Sequence, residues 1–138
     1  MSQLPAIQVH INRYTDAVNS RTWAAFPKIF AEDASWEAIG LDIRFDGLAA
    51  ITEGLSKIVG DMSRFVQMNT PAVIELDGDR ASARSVIYEI GEYDATGTCF
   101  EAYGTYEDEL VTVNGEWRFK SRRFVRLMRK ESPIYGQE

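Results

Sequence analysis

Two long strands joined by a tight turn are predicted within residues 98–129, which read TCFEAYGTYEDELVTVNGEWRFKSRRFVRLMR. Apolar and small residues alternate with polar ones through the first half, and one face carries Phe100, Ala102, Gly104, Tyr106 and Leu110. A period of two is typical of an antiparallel strand with one covered face. Asn114-Gly115 is a strong signal for a two-residue hairpin turn. The second strand is therefore expected to run back beside the first.

The same pattern extends upstream. Asp77-Gly78-Asp79 predicts another hairpin turn, and residues 94–97 form a longer loop of turn residues. Four long strands are predicted, at residues 64–76, 80–92, 98–112 and 116–129. Pro71 lacks a backbone N–H, so we expect it at a sheet edge or a bulge.

The N-terminal part has a helical period instead. A first helix is indicated by the apolar stripe Ile7, Ile11, Tyr14 and Val18, a second by Trp23, Phe26 and Phe30, and a third by Ile51, Leu55 and Ile58. A short strand is predicted at 35–39. Helices followed by hairpin-linked strands indicate an α+β protein. We predict one domain over residues 1–138, a cone in which three N-terminal helices pack on a strongly curved antiparallel sheet around an apolar pocket.

Composition narrows the range of partners. The chain has 138 residues and a net charge of −6, which disfavours non-specific nucleic-acid binding. No apolar run is long enough to cross a membrane, and the N-terminus has no secretory pattern, so we expect a cytoplasmic protein. No cluster of cysteines and histidines suggests a metal site. No glycine-rich phosphate loop occurs either. We predict no metal and no cofactor.

Seven basic residues lie between Arg118 and Lys130, and the preceding strand carries several acids. We interpret these charges as cross-strand pairs on a solvated sheet face. A nucleic-acid stripe and a site for an anionic ligand or partner are the alternatives.

A series of short motifs carries a family resemblance. In order they are VNSRTW at 18–23, FAEDASW at 30–36, IELDGD at 74–79, YGTY at 103–106 and NGEWR at 114–118. Their order and spacing resemble the SnoaL-like (polyketide-cyclase-like) proteins of the nuclear-transport-factor-2-like superfamily. The resemblance is nearest to the branch of scytalone dehydratase, bile acid 7-alpha-dehydratase and hexachlorocyclohexane dehydrochlorinase.

That branch implies elimination without a cofactor, in which an aspartate on the first helix orients a histidine that acts as the base. The matching positions here are Asn19 and Phe65, and neither side chain can take up a proton. The only histidine, His10, lies off the apolar stripe and is expected at the surface. The sequence therefore argues against the usual dehydratase dyad.

The resemblance also implies the remaining site residues. Tyr14 would polarise a substrate or else be a core tyrosine, Asn19 stands at the aspartate position, and Arg122 would lie near the pocket mouth or else be ion-paired at the surface. These three are the predicted catalytic residues. The predicted ligand-binding residues are Trp23, Trp36, Phe65, Val86, Tyr88, Ala102 and Tyr106. Asp108 is a candidate replacement acid, although a position on the pocket rim is favoured for it.

Three functions remain open at this point. The first is a cofactor-free lyase, isomerase or cyclase acting on a polycyclic, polyketide or steroid-like compound. The second is a binding protein that has lost its chemistry, and the third is a structural subunit. In each case we expect a hydrophobic small-molecule ligand or a protein partner, and a dimer or trimer formed through the outer sheet face.

Overall fold

The computed structural model describes residues 3–134. Its three helices are α1 (Leu4–Ser20), a 3-10 helix (Trp23–Lys28) and α2 (Leu48–Gly60). Its strands are β1 (Phe30–Ile39), β2 (Ile43–Asp46), β3 (Arg64–Asn69), β4 (Val73–Asp77), β5 (Arg80–Tyr93), β6 (Thr98–Val113) and β7 (Glu116–Pro133). None of the described helices is long and apolar enough to span a membrane.

The strands form one curved, open sheet in the order β2-β1-β7-β6-β5-β3, and β4 pairs with the other half of β5. The three longest strands, β5 to β7, are consecutive antiparallel neighbours, as the hairpin signals predict. The helices cover the concave face. The predicted α+β cone with three helices on a curved sheet is confirmed.

Three details of the predicted secondary structure are wrong. The sheet is mixed, because β1 runs parallel to β7. The strand predicted at 64–76 is two strands, since the segment at Thr70-Pro71-Ala72 interrupts it. The second helix is a 3-10 helix that ends before Phe30, and Phe30 begins β1. Pro27 lies inside that helix and Phe26 is its buried anchor.

Helix α1 is fastened to the sheet by the predicted apolar stripe, since Ile7, Ile11, Tyr14 and Val18 are all buried. His10 is buried too, which contradicts its expected surface position. Its Nε2–H donates to the backbone oxygen of Ile29 at 2.9 Å. The centre of its ring lies 5.2 Å from the centre of the Phe119 ring. Burial lowers the pKa of His10 to about 4, so the imidazole is neutral and serves to join α1 to the start of β1.

The close approach of β6 and β7 depends on Gly104. A Cβ built on Gly104 would lie 2.5 Å from the Phe124 ring and 2.7 Å from the backbone oxygen of Val125. The Phe124 ring can shift, but the oxygen belongs to the backbone of the neighbouring strand. A side chain at this position must therefore displace the backbone.

We expect Gly104→Ala to lower the free energy of unfolding by about 1–3 kcal/mol through overpacking. Urea unfolding monitored by tryptophan fluorescence measures the loss. Gly60→Ala is the control, because Gly60 ends α2 with open space around its Cβ position and alanine favours the helix. Equal stability of the two variants would show that the β6–β7 contact tolerates a methyl group.

Candidate functional site

The concave face of the sheet and the helices enclose a cavity of about 170 Å³. Most of its wall is apolar, with side chains from β1, β2, α2, β6 and β7, among them Ile43, Leu55, Val59, Phe100 and Phe124. Apolar walls with a few convergent polar groups are typical of small-molecule sites. Within residues 3–134, no three His, Cys, Asp or Glu side chains are grouped so that they could hold a metal ion.

Five of the predicted site residues line this cavity. Tyr14 comes from α1, Trp36 from β1, Phe65 from β3, and Ala102 and Tyr106 from β6. Phe65 stands where the resemblance placed a histidine, and here it contributes an apolar ring to the wall. Half of the predicted site residues therefore lie together in the cavity wall, although the prediction did not include all the polar groups inside it.

Val86 and Tyr88 were predicted to line the pocket, but they lie on the outer face of β5. Val86 is 42% exposed, and the Tyr88 hydroxyl donates to the Glu101 carboxylate at 2.5 Å. The side chains of β5 that face inward are at odd positions, as the burial of Ala81 and Ile87 shows. Both faces of this strand carry apolar residues, so the alternation alone did not define which face is covered.

Trp23 and Arg122 also lie away from their predicted places. Trp23 packs edge-on against Phe26 in the 3-10 helix, with 5.3 Å between the ring centres, and does not line the cavity. Arg122 was expected near the pocket mouth, yet it is fully buried behind the cavity wall. Its chain neighbour Arg123 is the exposed one, paired with Glu107 on the outer face.

Asn19 has a different task from the one the family position implies. Its Nδ2 donates to the backbone oxygen of Gln67 and its Oδ1 accepts from the backbone N–H of Gln67, both at 2.9 Å. Strand β3 is an edge strand of the path, so these backbone groups have no neighbouring strand. An aspartate could accept from the N–H but could not donate to the carbonyl oxygen. Asn19 therefore positions Gln67 and is not among the residues that line the cavity.

Two tyrosine hydroxyls meet in the cavity wall. The hydroxyls of Tyr14 and Tyr106 are 3.3 Å apart, and the Trp36 Nε1–H donates to Tyr14 at 3.2 Å. Burial raises the pKa of both phenols, so both are neutral. The pair holds two hydroxyl protons but uses only one in the bond between them. The other proton is available to a ligand oxygen.

A buried cation lies against the faces of these rings. The Arg122 guanidinium carbon is 3.6 Å from the ring centre of Tyr106 and 4.2 Å from that of Tyr14. Its Nε and Nη2 donate to the two carboxylate oxygens of Asp108 at 2.9 and 3.3 Å. Asp108 is buried, so the expected rim position is wrong, and burial raises its pKa to about 6 against the opposing effect of Arg122. The positive charge beside the phenols favours negative charge on their hydroxyl oxygens or on an oxygen bound there.

Removing the acid from this pair should be costly. We expect Asp108→Asn to lower the free energy of unfolding by about 3–5 kcal/mol, because Arg122 then remains charged and buried without a counter-ion. Urea denaturation followed by circular dichroism provides the measurement. Glu107→Gln, which removes the exposed partner of Arg123, is the control and should cost less than about 1 kcal/mol. A loss as small as the control's would mean that Arg122 does not need Asp108.

Glu89 is the acid that the sequence prediction missed. It lies on the inward face of β5, lines the cavity, and forms no hydrogen bond or ion pair shorter than 4 Å with another described residue. Burial raises the pKa of Glu89 to about 7, against the opposing charges of Arg129 and Arg126. The charge of Glu89 in turn raises the pKa of Tyr14 and of Tyr106, so the Glu89 carboxyl lies near the hydroxyl pair. A signal was present, because an acid at an odd position of β5 shares a face with Ala81, Ala83 and Ile87.

Gln67 is the second polar residue that the sequence prediction missed. It is directly opposite Glu89 in the antiparallel β3–β5 pair, and it is 3% exposed. Its side-chain Oε1 has no hydrogen-bond partner among the described residues, while Asn19 holds its backbone. A buried amide without a partner is costly unless water or a ligand binds it. The Gln67 amide and the Glu89 carboxyl are thus adjacent polar groups available to a ligand.

The raised pKa of Glu89 links stability to pH. Between pH 4.5, the usual glutamate value, and about 7, the folded protein keeps a proton that the unfolded chain has lost. The free energy of unfolding therefore falls as the pH rises through this window. We expect Glu89→Gln to be more stable than wild type at pH 8, by up to about 3 kcal/mol, and to match it at pH 4.

Urea unfolding of both proteins at the two pH values measures this difference. Glu109→Gln, on the outward face of β6, is the control and should show no such pH-dependent gain. A wild-type protein more stable than Glu89→Gln at pH 8 would mean that the carboxylate is stabilised in the fold.

The sequence matches a known protein family over most of its length. The model of the SnoaL-like domain matches residues 2–123. The chain belongs to the SnoaL-like family. No functionally curated protein matches the sequence significantly.

Solved structures similar to this SnoaL-like protein agree in fold. A candidate scytalone dehydratase from Novosphingobium aromaticivorans DSM 12444 is 23% identical, with a TM-score of 0.84 over 99% of this chain and 89% of that one. A single-residue variant of Rv3472 from Mycobacterium tuberculosis, a protein of unknown function, is 26% identical and has a TM-score of 0.78. The match covers 90% of this chain and 71% of that chain. The hexachlorocyclohexane dehydrochlorinase LinA-type3 from Novosphingobium barchaimii LL02 is 18% identical and has a TM-score of 0.81. The match covers 96% of this chain and 90% of that chain.

Proposed function

We propose that this SnoaL-like protein is a cofactor-independent lyase or isomerase that removes a proton from carbon in a hydrophobic small molecule. The observation that carries the proposal is Glu89, an acid without a bonded partner in an apolar cavity, with a pKa of about 7. A base with this pKa is half ionised near neutral pH and retains strong affinity for a proton. The cavity of about 170 Å³ suits an apolar compound of one or two rings, so a small polycyclic or polyketide-like compound fits it better than a steroid.

Glu89 supplies the base that Asn19 and Phe65 cannot. In the proposed reaction its carboxylate takes a proton from a carbon next to an electron-withdrawing group of the substrate. The electron pair of the broken C–H bond moves towards a substrate oxygen. Gln67, opposite Glu89, offers its amide to a second polar group of the same molecule.

The hydroxyl pair stabilises the oxygen that gains charge. One proton of Tyr14 and Tyr106 is free to be donated to it, and Arg122 lies behind both rings. Donors already fixed in an apolar site stabilise a developing oxyanion without reorganisation. The proton on Glu89 then passes to another carbon in an isomerase, or to a leaving group in a lyase. Similar structures are named for a dehydratase and a dehydrochlorinase, which are eliminating enzymes, and this supports the lyase form.

The test uses an uncharged probe, 5-nitrobenzisoxazole, whose ring opens when a base removes its C–H proton. The N–O bond breaks, a nitrile forms, and the oxygen leaves as a coloured phenolate. We expect the wild-type rate to rise with pH through a midpoint of about 7, because only the Glu89 carboxylate is a base. Glu89→Gln should lower the rate about 100-fold or more. Tyr14→Phe and Tyr106→Phe should each lower it about 10-fold, because one donor to the phenolate is disturbed.

Glu109→Gln removes an acid from the outward face of β6 and should leave the rate unchanged. Wild type and Glu89→Gln reacting equally fast would exclude Glu89 as the base. Saturable binding of the probe without any acceleration would make the protein a binding protein, the alternative that the missing dyad suggests.

The outer sheet face is where we propose that copies of the chain associate. Cross-strand neighbours there form the row Met68, Tyr88, Tyr103 and Met128, and the two methionines and Tyr103 are exposed. An exposed apolar row on a sheet is typical of an interface. Light scattering at working concentration tests this, and a monomer would contradict it.

A further inference from the structure

An irregularity in β7 directs two arginines to the same side of the sheet. Arg126 and Arg129 are three residues apart, so in a regular strand they would point to opposite faces. Here Arg126 pairs with Gly104 while Met128 pairs with Tyr103, so Leu127 is an extra residue in the ladder. Because of this bulge, the Arg129 side chain points to the concave face, as that of Arg126 does. Both arginines consequently line the cavity.

Both guanidinium groups lie at the opening of the cavity, since both residues are exposed although they line it. Arg126 forms no hydrogen bond or ion pair with any residue in the described range 3–134. Arg129 contacts the exposed carboxylate of Glu131, and its guanidinium carbon lies 4.7 Å from the ring centre of Phe100. One cation is therefore unpaired and the other has a partner that is accessible to water.

Glu89, the acid in the cavity wall, forms no ion pair with either arginine among the described residues. Glu89 is separated from Arg129 by Ala102 in the same cross-strand row, and the two do not form an ion pair. The short side chain of Ala102 leaves the space between them open. An uncharged ligand would leave Arg126 unpaired at the opening, whereas an anionic group there could contact both arginines.

We propose that Arg126 and Arg129 form an anion subsite at the cavity mouth, which binds the carboxylate of an otherwise apolar substrate. The inference rests on the proposed function in taking this cavity as the substrate site. Guanidinium groups donate two parallel hydrogen bonds to a carboxylate, and such charge-assisted bonds are strong. The ring of the acid enters the apolar cavity towards Tyr14 and Tyr106, and its carboxylate stays at the opening.

The experiment compares two probes with one ring system, 2-naphthoate and the uncharged 2-naphthalenemethanol, by calorimetric titration at pH 7.5 in low salt. We expect wild type to bind naphthoate at least about tenfold more tightly than the alcohol, and the preference to fall with added salt. Arg126→Gln should weaken naphthoate binding about tenfold, which corresponds to about 1.4 kcal/mol, and leave the alcohol unaffected. Arg129→Gln should act in the same direction.

The matched control is Arg84→Gln, the same change of charge on the outward face of β5, which should leave both affinities unchanged. Equal binding of the two probes, no binding of either, or an Arg126→Gln effect no larger than that of Arg84→Gln would overturn the subsite. The elimination test is independent of these results because 5-nitrobenzisoxazole is uncharged. If Glu89→Gln keeps the elimination rate while naphthoate binding depends on Arg126, the catalytic proposal fails and the subsite stands.

Discussion

The bidentate ion pair between Arg122 and Asp108 joins the core of this protein to its candidate site. Both side chains have no exposed surface, and the guanidinium group also lies against the rings of Tyr14, Tyr106 and Phe119. These rings come from α1, β6 and β7, so one cation holds the first helix and the two longest strands together. Burying such a pair is expensive, and hydrophobic side chains of similar volume would often serve stability as well. The pair also places a positive charge beside the two phenols, which hydrophobic side chains could not do.

Much of the fold follows from local signals in the sequence. The turn at Asn114-Gly115 and the helical stripe from Ile7 to Val18 each depend on residues close together in the chain, and both predictions are confirmed. The parallel pairing of β1 with β7 is a contact between distant segments, and no local pattern specifies it. His10 shows the same limit, because its hydrogen-bond partner Ile29 is brought to it only by the tertiary fold.

The candidate site was predictable only where one face of a strand was clearly apolar. Ala102 and Tyr106 face the cavity as predicted, because the inward positions of β6 from Phe100 to Tyr106 are all apolar or small. In β5 the outward residues Val86 and Tyr88 look like core residues, and the inward Glu89 looks like a surface one. A functional acid in a cavity contradicts the pattern that reveals strand orientation, so pattern reasoning failed at the position that matters for the chemistry. The bulge at Leu127 likewise concealed the inward direction of Arg129.

The parallel contact between β1 and β7 also constrains how the chain can fold. Strand β1 covers Phe30–Ile39, whereas the part of β7 that pairs with it lies at residues 119–125. During synthesis, β1 cannot pair with β7 until β7 has left the ribosome. Pairing between such distant segments slows folding and leaves strand edges exposed in the meantime. The stage before β7 pairs with β1 is therefore the one at which a nascent chain of this protein is most open to misassembly.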